Sequence, residues 1–207
     1  MINLFSGTPG SGKSYHMARF IYSNIKYQNC VVIANFNVNL SSIKHPRGQF
    51  YYVTNDKITP HFLADFAKNY ISEQRGKGKN VKEGQIILII DEAQLLFNAR
   101  EWSKAGRNDW NAFFTQHRHL KYDIYFVAQF DRMLDRYIRG LIEYEYIHRK
   151  VNNYGKFGKF LSILCGGNFF AIVKRWYPMK ENVDHEFCRG CKKYYKIYDT
   201  EIIFNAD

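Results

Sequence analysis

The chain has 207 residues, 46% hydrophobic and 17% aromatic, which suits one ordinary domain with a sizeable core and excludes a disordered chain. Lysine and arginine total 30 against 19 acids, and this +11 balance favours an anionic partner: nucleic acid, an anionic membrane surface or a nucleotide. Four cysteines are too few for a disulfide scaffold at this length, so a reducing, cytoplasmic setting is expected.

Residues 2–5 are an apolar run that ends in a glycine-rich turn, the pattern of a buried parallel strand. The chain runs from Met1 straight into that strand, so no signal peptide is expected. Met17, Ala18, Ile21 and Ile25 recur at helical spacing over 14–27. Further strands are expected over 30–36, 50–53, 86–90, 124–128 and 142–151, the five aliphatics at 86–90 marking a central one. Helices are expected from Pro60 onward, over 93–97, over 108–120 with Trp110, Phe113, Phe114 and His117 on one face, and over 132–141. Between them, residues 75–84 (RGKGKNVKEG) form a basic loop that is either a solvated loop or a surface for DNA phosphates.

This alternation predicts an α/β domain over residues 1–151, with a mostly parallel sheet covered on both faces. The rhythm then breaks. Residues 160–164 and 169–177 are expected to pair as a hairpin around Gly166-Gly167-Asn168, making 152–207 a small antiparallel β appendage packed on the core. Residues 160–173, at roughly 14 residues, fall short of the ~20 that a membrane helix needs.

GTPGSGKS at residues 7–14 fits G-x-x-x-x-G-K-[ST] between an apolar strand and an amphipathic helix. Gly7, Pro9, Gly10, Ser11 and Gly12 let main-chain amides curl around a β-phosphate, and the helix start adds its dipole. Lys13 should reach the β- and γ-phosphates, and Ser14 should ligate Mg²⁺; Tyr15 is counted with the nucleotide contacts. Asp91-Glu92 follows the aliphatic strand directly. A carboxylate at the tip of a buried strand is costly unless a cation is near. Asp91 is therefore expected to hold Mg²⁺ through water, and Glu92 to act as general base. These motifs predict a P-loop ATPase using ATP and Mg²⁺.

Gln129 ends the 124–128 strand and is either a γ-phosphate sensor or a strand-end cap. Arg118 either reaches a neighbouring subunit's γ-phosphate or makes an internal salt bridge. His185, Cys188 and Cys191 stand as H-x-x-C-x-x-C, which leaves a zinc site with Cys165 as fourth ligand, a redox pair, or incidental cysteines. Lys192, Lys193 and Lys196 alternate with Tyr194, Tyr195 and Tyr198, a mix for nucleic acid or for an ordinary edge.

With GTPGSGKS, the segments IIDEAQLLFNAREW, HRHLKYDIYFVAQ, DRYIRGLIEYEYIHRK and YYKIYDT stand in the order of the zonula occludens toxin-like family, which the chain resembles over nearly its whole length. That family includes the gene I morphogenesis proteins of filamentous phages. The resemblance implies an additional-strand ATPase related to DNA-pumping motors that form hexameric rings. It also implies a role in assembling and extruding filamentous phage at the cytoplasmic face of the host inner membrane, with the phage's single-stranded DNA complex and other assembly proteins as partners. Family members usually continue past the YDT-like segment into a transmembrane helix, and this sequence stops seven residues after Thr200. Toxin activity, assigned to the part beyond, is not expected. Two other readings remain: a viral genome-packaging ATPase of the same superfamily, and a nucleotide-gated scaffold without productive turnover.

Overall fold

The computed structural model describes residues 1–98, 106–164 and 167–198, except for the Phe157 side chain. Five parallel strands follow from the five apolar runs: β1 (Ile2–Ser6), β2 (Val31–Ala34), β3 (Gln49–Tyr52), β4 (Ile86–Ile90) and β5 (Tyr122–Val127). β6 (Tyr144–Lys150) also runs parallel to β1. The sheet order is β3-β2-β4-β5-β1-β6-β7-β8, so β5 is inserted between the phosphate-loop strand β1 and the acidic-pair strand β4. That insertion is the additional strand that the family resemblance implies.

Alternation along the strands explains why both faces are apolar. Leu4, Leu88, Ile124 and Phe126 point to one face, where they meet Leu63 and Ala67 of α2 (Pro60–Gly76), Phe113 and Phe114 of α3 (Arg107–Gln116) and Ile138 of α4 (Arg136–Leu141). Phe5, Val32, Ile87 and Val127 point to the other, under Met17, Ala18, Ile21 and Ile25 of α1 (Lys13–Tyr27). Helix starts are signalled locally: Thr59 caps α2 by accepting from the Phe62 amide with Pro60 following, and Asp135 caps α4 by accepting from the Ile138 amide.

Residues 160–164 are not a strand. They belong to α5 (Gly155–Leu164), and the expected hairpin around Gly166-Gly167-Asn168 gives way to another pairing. β7 (Phe169–Trp176) is hydrogen-bonded on one side to β6 and on the other to β8 (Glu181–Arg189), both antiparallel, so residues 160–164 have no edge of β7 left to join. β7 and β8 continue the main sheet across residue 151 instead of packing on it. A short helix α6 (Lys192–Tyr195) follows. Among the described residues no helix is long and apolar enough to cross a membrane.

Candidate functional site

The loop of residues 7–12 leaves the carboxyl end of β1 and turns into α1, which starts at Lys13 with no side-chain cap. The first amides of a helix lack intrahelical partners and favour an anion. The Gly7 amide donates to the Gln129 carbonyl at 3.1 Å, which fixes the loop's entrance to the end of β5. Gly12 sits at φ 99°, and a Cβ there would lie 2.5 Å from the Phe170 ring. Lys13 Nζ donates to the carbonyls of Gly7 at 2.5 Å and Thr8 at 3.2 Å, so the ammonium spans its own loop. Half-burial pulls its pKa down, while Asp91 and Glu92 push it up; both carboxylates therefore lie within electrostatic reach. Ser11 is buried, and its hydroxyl has no partner among the described residues.

Asp91 and Glu92 follow β4 at the same edge of the sheet. Asn35, just past β2, clamps Asp91: its Nδ2 donates to the Asp91 carbonyl at 2.8 Å and its Oδ1 accepts the Asp91 amide at 2.7 Å. The side chain thereby prolongs the β2–β4 pairing by one rung. Burial raises the Asp91 pKa, and hydrogen bonds from the Tyr198 hydroxyl and the Glu92 amide work against the shift. Glu92 has φ 47°, a left-handed backbone that costs a non-glycine residue about 1–2 kcal/mol. Its carboxylate accepts from Gln94 Nε2.

Two cavities flank the loop. One, of about 700 Å³, runs from Ser11 and Ser14 to Phe170, Tyr194, Tyr195 and Tyr198. The other, of about 390 Å³, is lined by Gly7, Thr8, Gln129, Asp131 and Glu145. Lys150, at the carboxyl end of β6, lines both. Glu145 is buried on β6, where it accepts from the Ser6 hydroxyl at 2.6 Å and pairs with Arg175.

Behind the loop lies a histidine pair, His148 buried and His16 partly buried. His148 Nδ1 is 3.0 Å from the Ser6 carbonyl, so it carries the proton, and His148 Nε2 accepts from His16 Nδ1 at 2.8 Å. This one tautomer arrangement satisfies both neutral rings. Burial pushes His16 down to about 4, helped by Arg19, and His148 down to about 3, helped by His16 and Lys13. Both values lie below the ordinary one near 6.5, so the unfolded chain takes up more protons in acid. Stability is full above about pH 6.5 and falls as pH drops toward 4 and 3, by about 1.4 kcal/mol per pH unit for each ring. Urea midpoints between pH 7.5 and 5 measure this. A profile as steep in a His16→Leu/His148→Leu double variant would dismiss the pair as its source.

Lys13, Ser14, Asp91, Glu92 and Gln129 are thus brought to one edge, as are Gly7, Pro9, Gly10, Ser11 and Gly12. Tyr15 lines the large cavity beside Ser14 and also serves packing. Its hydroxyl donates to the Arg189 carbonyl at 2.8 Å and accepts the Cys191 amide at 3.1 Å, and its ring stacks on Phe170, so it ties α1 to the end of β8. Arg118 lies near the amino ends of β1 and β5, opposite the loop, and its guanidinium pairs with Glu143 at 2.8 Å and Glu83 at 3.7 Å. Within the chain it makes the internal salt bridge. His185 and Cys188 stand three apart on β8 and so point to opposite faces. Cys188 is buried against Tyr15 and Phe170, and no cluster among the described residues could hold a metal; Cys165 lies outside them. Sequence reasoning missed Asn35, Lys150 and the contact between Tyr198 and Asp91. Their only local signals are polar residues at strand ends and a tyrosine in a basic tail.

A glycine loop feeding an uncapped helix, with acids two strands away across an inserted strand, is the architecture of P-loop NTPases of the additional-strand class. Within that class, the model of the zonular occludens toxin (Zot) family matches residues 1–200, and the chain belongs to this family. It is 30% identical to the Gene 1 protein of Enterobacteria phage I2-2 over 131 residues, which cover 58% of this chain and 36% of that protein. The aligned part is therefore little more than a third of that relative's length. The chain superposes on the N-terminal domain of zonular occludens toxin from Neisseria meningitidis with a TM-score of 0.58 at 20% identity, covering 96% and 98% of the two chains. It also superposes on the genome packaging NTPase B204 of Sulfolobus turreted icosahedral virus 2 in complex with AMPPCP, with a TM-score of 0.51 at 15% identity, covering 92% and 97%.

Proposed function

We propose that this chain binds ATP with Mg²⁺ and hydrolyses it, as the motor part of a filamentous-phage assembly and extrusion protein. The observation that carries the reading is the convergence of Lys13, Ser14, Asp91 and Glu92 on the mouth of an uncapped helix. The residues suit a magnesium nucleotide. Ser11 has a buried hydroxyl without a partner among the described residues, and Ser14 and Asp91 offer the hard oxygen donors that magnesium takes.

Lys13 would neutralise charge on the β- and γ-phosphates, and the first amides of α1 would bind their oxygens. Glu92 would accept a proton from the water that attacks the γ-phosphorus as the bond to the bridging oxygen breaks, releasing ADP and phosphate. Ser14 and Asp91 would hold Mg²⁺, which supplies Lewis-acid charge stabilisation when bound. Gln129, whose carbonyl anchors the Gly7 amide, would sense the γ-phosphate and pass the change to β5.

The family and the Gene 1 relative support the phage-assembly role. A homo-oligomeric, hexameric ring acting on the phage's single-stranded DNA complex at the cytoplasmic face of the host inner membrane is part of this proposal. So are the other assembly proteins as partners. The +11 charge suits a nucleic-acid partner. Calorimetry of the folded chain with ATP and magnesium is expected to give one site per chain, and steady-state assays are expected to release phosphate. Folded protein that takes up no adenine nucleotide would remove the motor reading. Uptake without phosphate release, at any protein concentration, would leave a scaffold.

A further inference from the structure

The Tyr198 hydroxyl donates to Asp91 Oδ2 at 2.6 Å, and Tyr198 lines the large cavity together with Ser14. Asp91 and Ser14 are the two residues assigned above to Mg²⁺, so the inference rests on that reading. The phenol comes from a strap that begins after β8 and crosses the outside of α1. Tyr194 packs edge-on against Tyr22 at 5.5 Å and Tyr15 at 5.8 Å, and the Lys193 ammonium lies 3.6 Å from the Tyr22 ring centre. Ile197 is wholly buried in the α1-side core, and its carbonyl accepts the Asn39 amide at 2.8 Å. The strap is therefore anchored through Ile197. Tyr198 is the next residue, held by the edge of Phe36 at 5.0 Å and by its hydroxyl.

A magnesium ion binds oxygens at about 2.1 Å in a tight octahedron and keeps several waters. Ser14 and Asp91 would hold such an ion, Asp91 through one water. In the structure the phenol donates to that same carboxylate, and a neutral phenol is a weak ligand for a hard cation. With no cation there, the buried Asp91 carboxylate needs a donor, and Tyr198 supplies one. We propose that the Tyr198 hydroxyl competes with Mg²⁺ for Asp91, so that the magnesium nucleotide turns this side chain out and the C-terminal strap registers the loading of the site. The anchor at Ile197 stays, which keeps the movement to one side chain.

Tyr198→Phe keeps the ring against Phe36 and deletes the competitor. A hydrogen bond to a charged group converts to about tenfold in affinity, so the variant should bind magnesium–nucleotide about tenfold more tightly than the wild type. Nucleotide binding in excess EDTA should change little. A second readout needs no loss of a side-chain contact: 3-fluorotyrosine placed at position 198 should shift its ¹⁹F resonance with magnesium–nucleotide and not with nucleotide in EDTA. Equal or weaker magnesium–nucleotide binding by Tyr198→Phe, in a wild type that binds, overturns the inference alone. So does a ¹⁹F resonance that ignores the metal. A wild type that binds no magnesium nucleotide overturns the underlying reading as well.

Discussion

Glu92→Gln is expected to bind magnesium–ATP within about threefold of the wild type and to release phosphate about 10²- to 10⁴-fold more slowly. The amide has the carboxylate's shape and cannot take a proton from water. The backbone supports the assignment. Glu92 is held at φ 47° on the tip of β4, and strain of this kind persists where the surroundings impose it for function. The strain gives a second expectation that a structural carboxylate would not. Glu92→Gly should be more stable than the wild type by about 1 kcal/mol, since glycine carries no left-handed penalty, and should be equally inactive. Denaturant midpoints set beside phosphate release check both. Turnover by Glu92→Gln at the wild-type rate would leave Glu92 a capping acid.

The phosphate loop, α1, β4 and the Asp91-Glu92 pair are legible in the sequence because each is encoded over a few adjacent residues. Five consecutive aliphatics between two polar ends, or glycines at fixed offsets before a lysine, leave one local geometry. The errors come where partners are distant or the pattern is short. Residues 160–164 are too few to show a period, and β7's two edges, taken by β6 and β8, decide the matter against a strand. β8 escaped notice because most of its residues are exposed, so main-chain pairing to β7 holds it without an apolar alternation. Its strand geometry is also what separates His185 from Cys188. The clamp by Asn35 and the donor from Tyr198 reach Asp91 across 56 and 107 residues. No spacing rule covers such reach.

Burial and charge act in opposite directions at the site's two central ions. Desolvation lowers the Lys13 pKa and raises that of Asp91, so each is pressed toward neutrality, and each is the other's remedy. Neither touches the other in the structure as a direct pair; Lys13 turns to loop carbonyls and Asp91 to Tyr198. On the proposed reading, a triphosphate and its metal would displace these partners. A direct Lys13–Asp91 salt bridge would have to be broken first, at several kcal/mol for buried charges.

Gly12→Ala should damage both folding and the site. Two costs add. A left-handed backbone at φ 99° costs an alanine about 1–2 kcal/mol, and driving its Cβ to within 2.5 Å of the buried Phe170 ring costs about 1–3 kcal/mol more. Gly10→Ala meets open space and should lose only the backbone part, about 1 kcal/mol. The contrast separates sterics from strain. Phe170 also lines the large cavity, so a ring pushed aside changes the space beside Ser14, and Gly12→Ala should lose magnesium–nucleotide binding even where it still folds. The collision predicts its own rescue. Phe170→Leu destabilises alone, yet in combination with Gly12→Ala the losses should fall short of their sum by about 1–3 kcal/mol, because the ring that blocks the methyl is gone. Urea denaturation of the two single variants and the double one reads that coupling. Strict additivity would mean that Phe170 is not what keeps residue 12 a glycine.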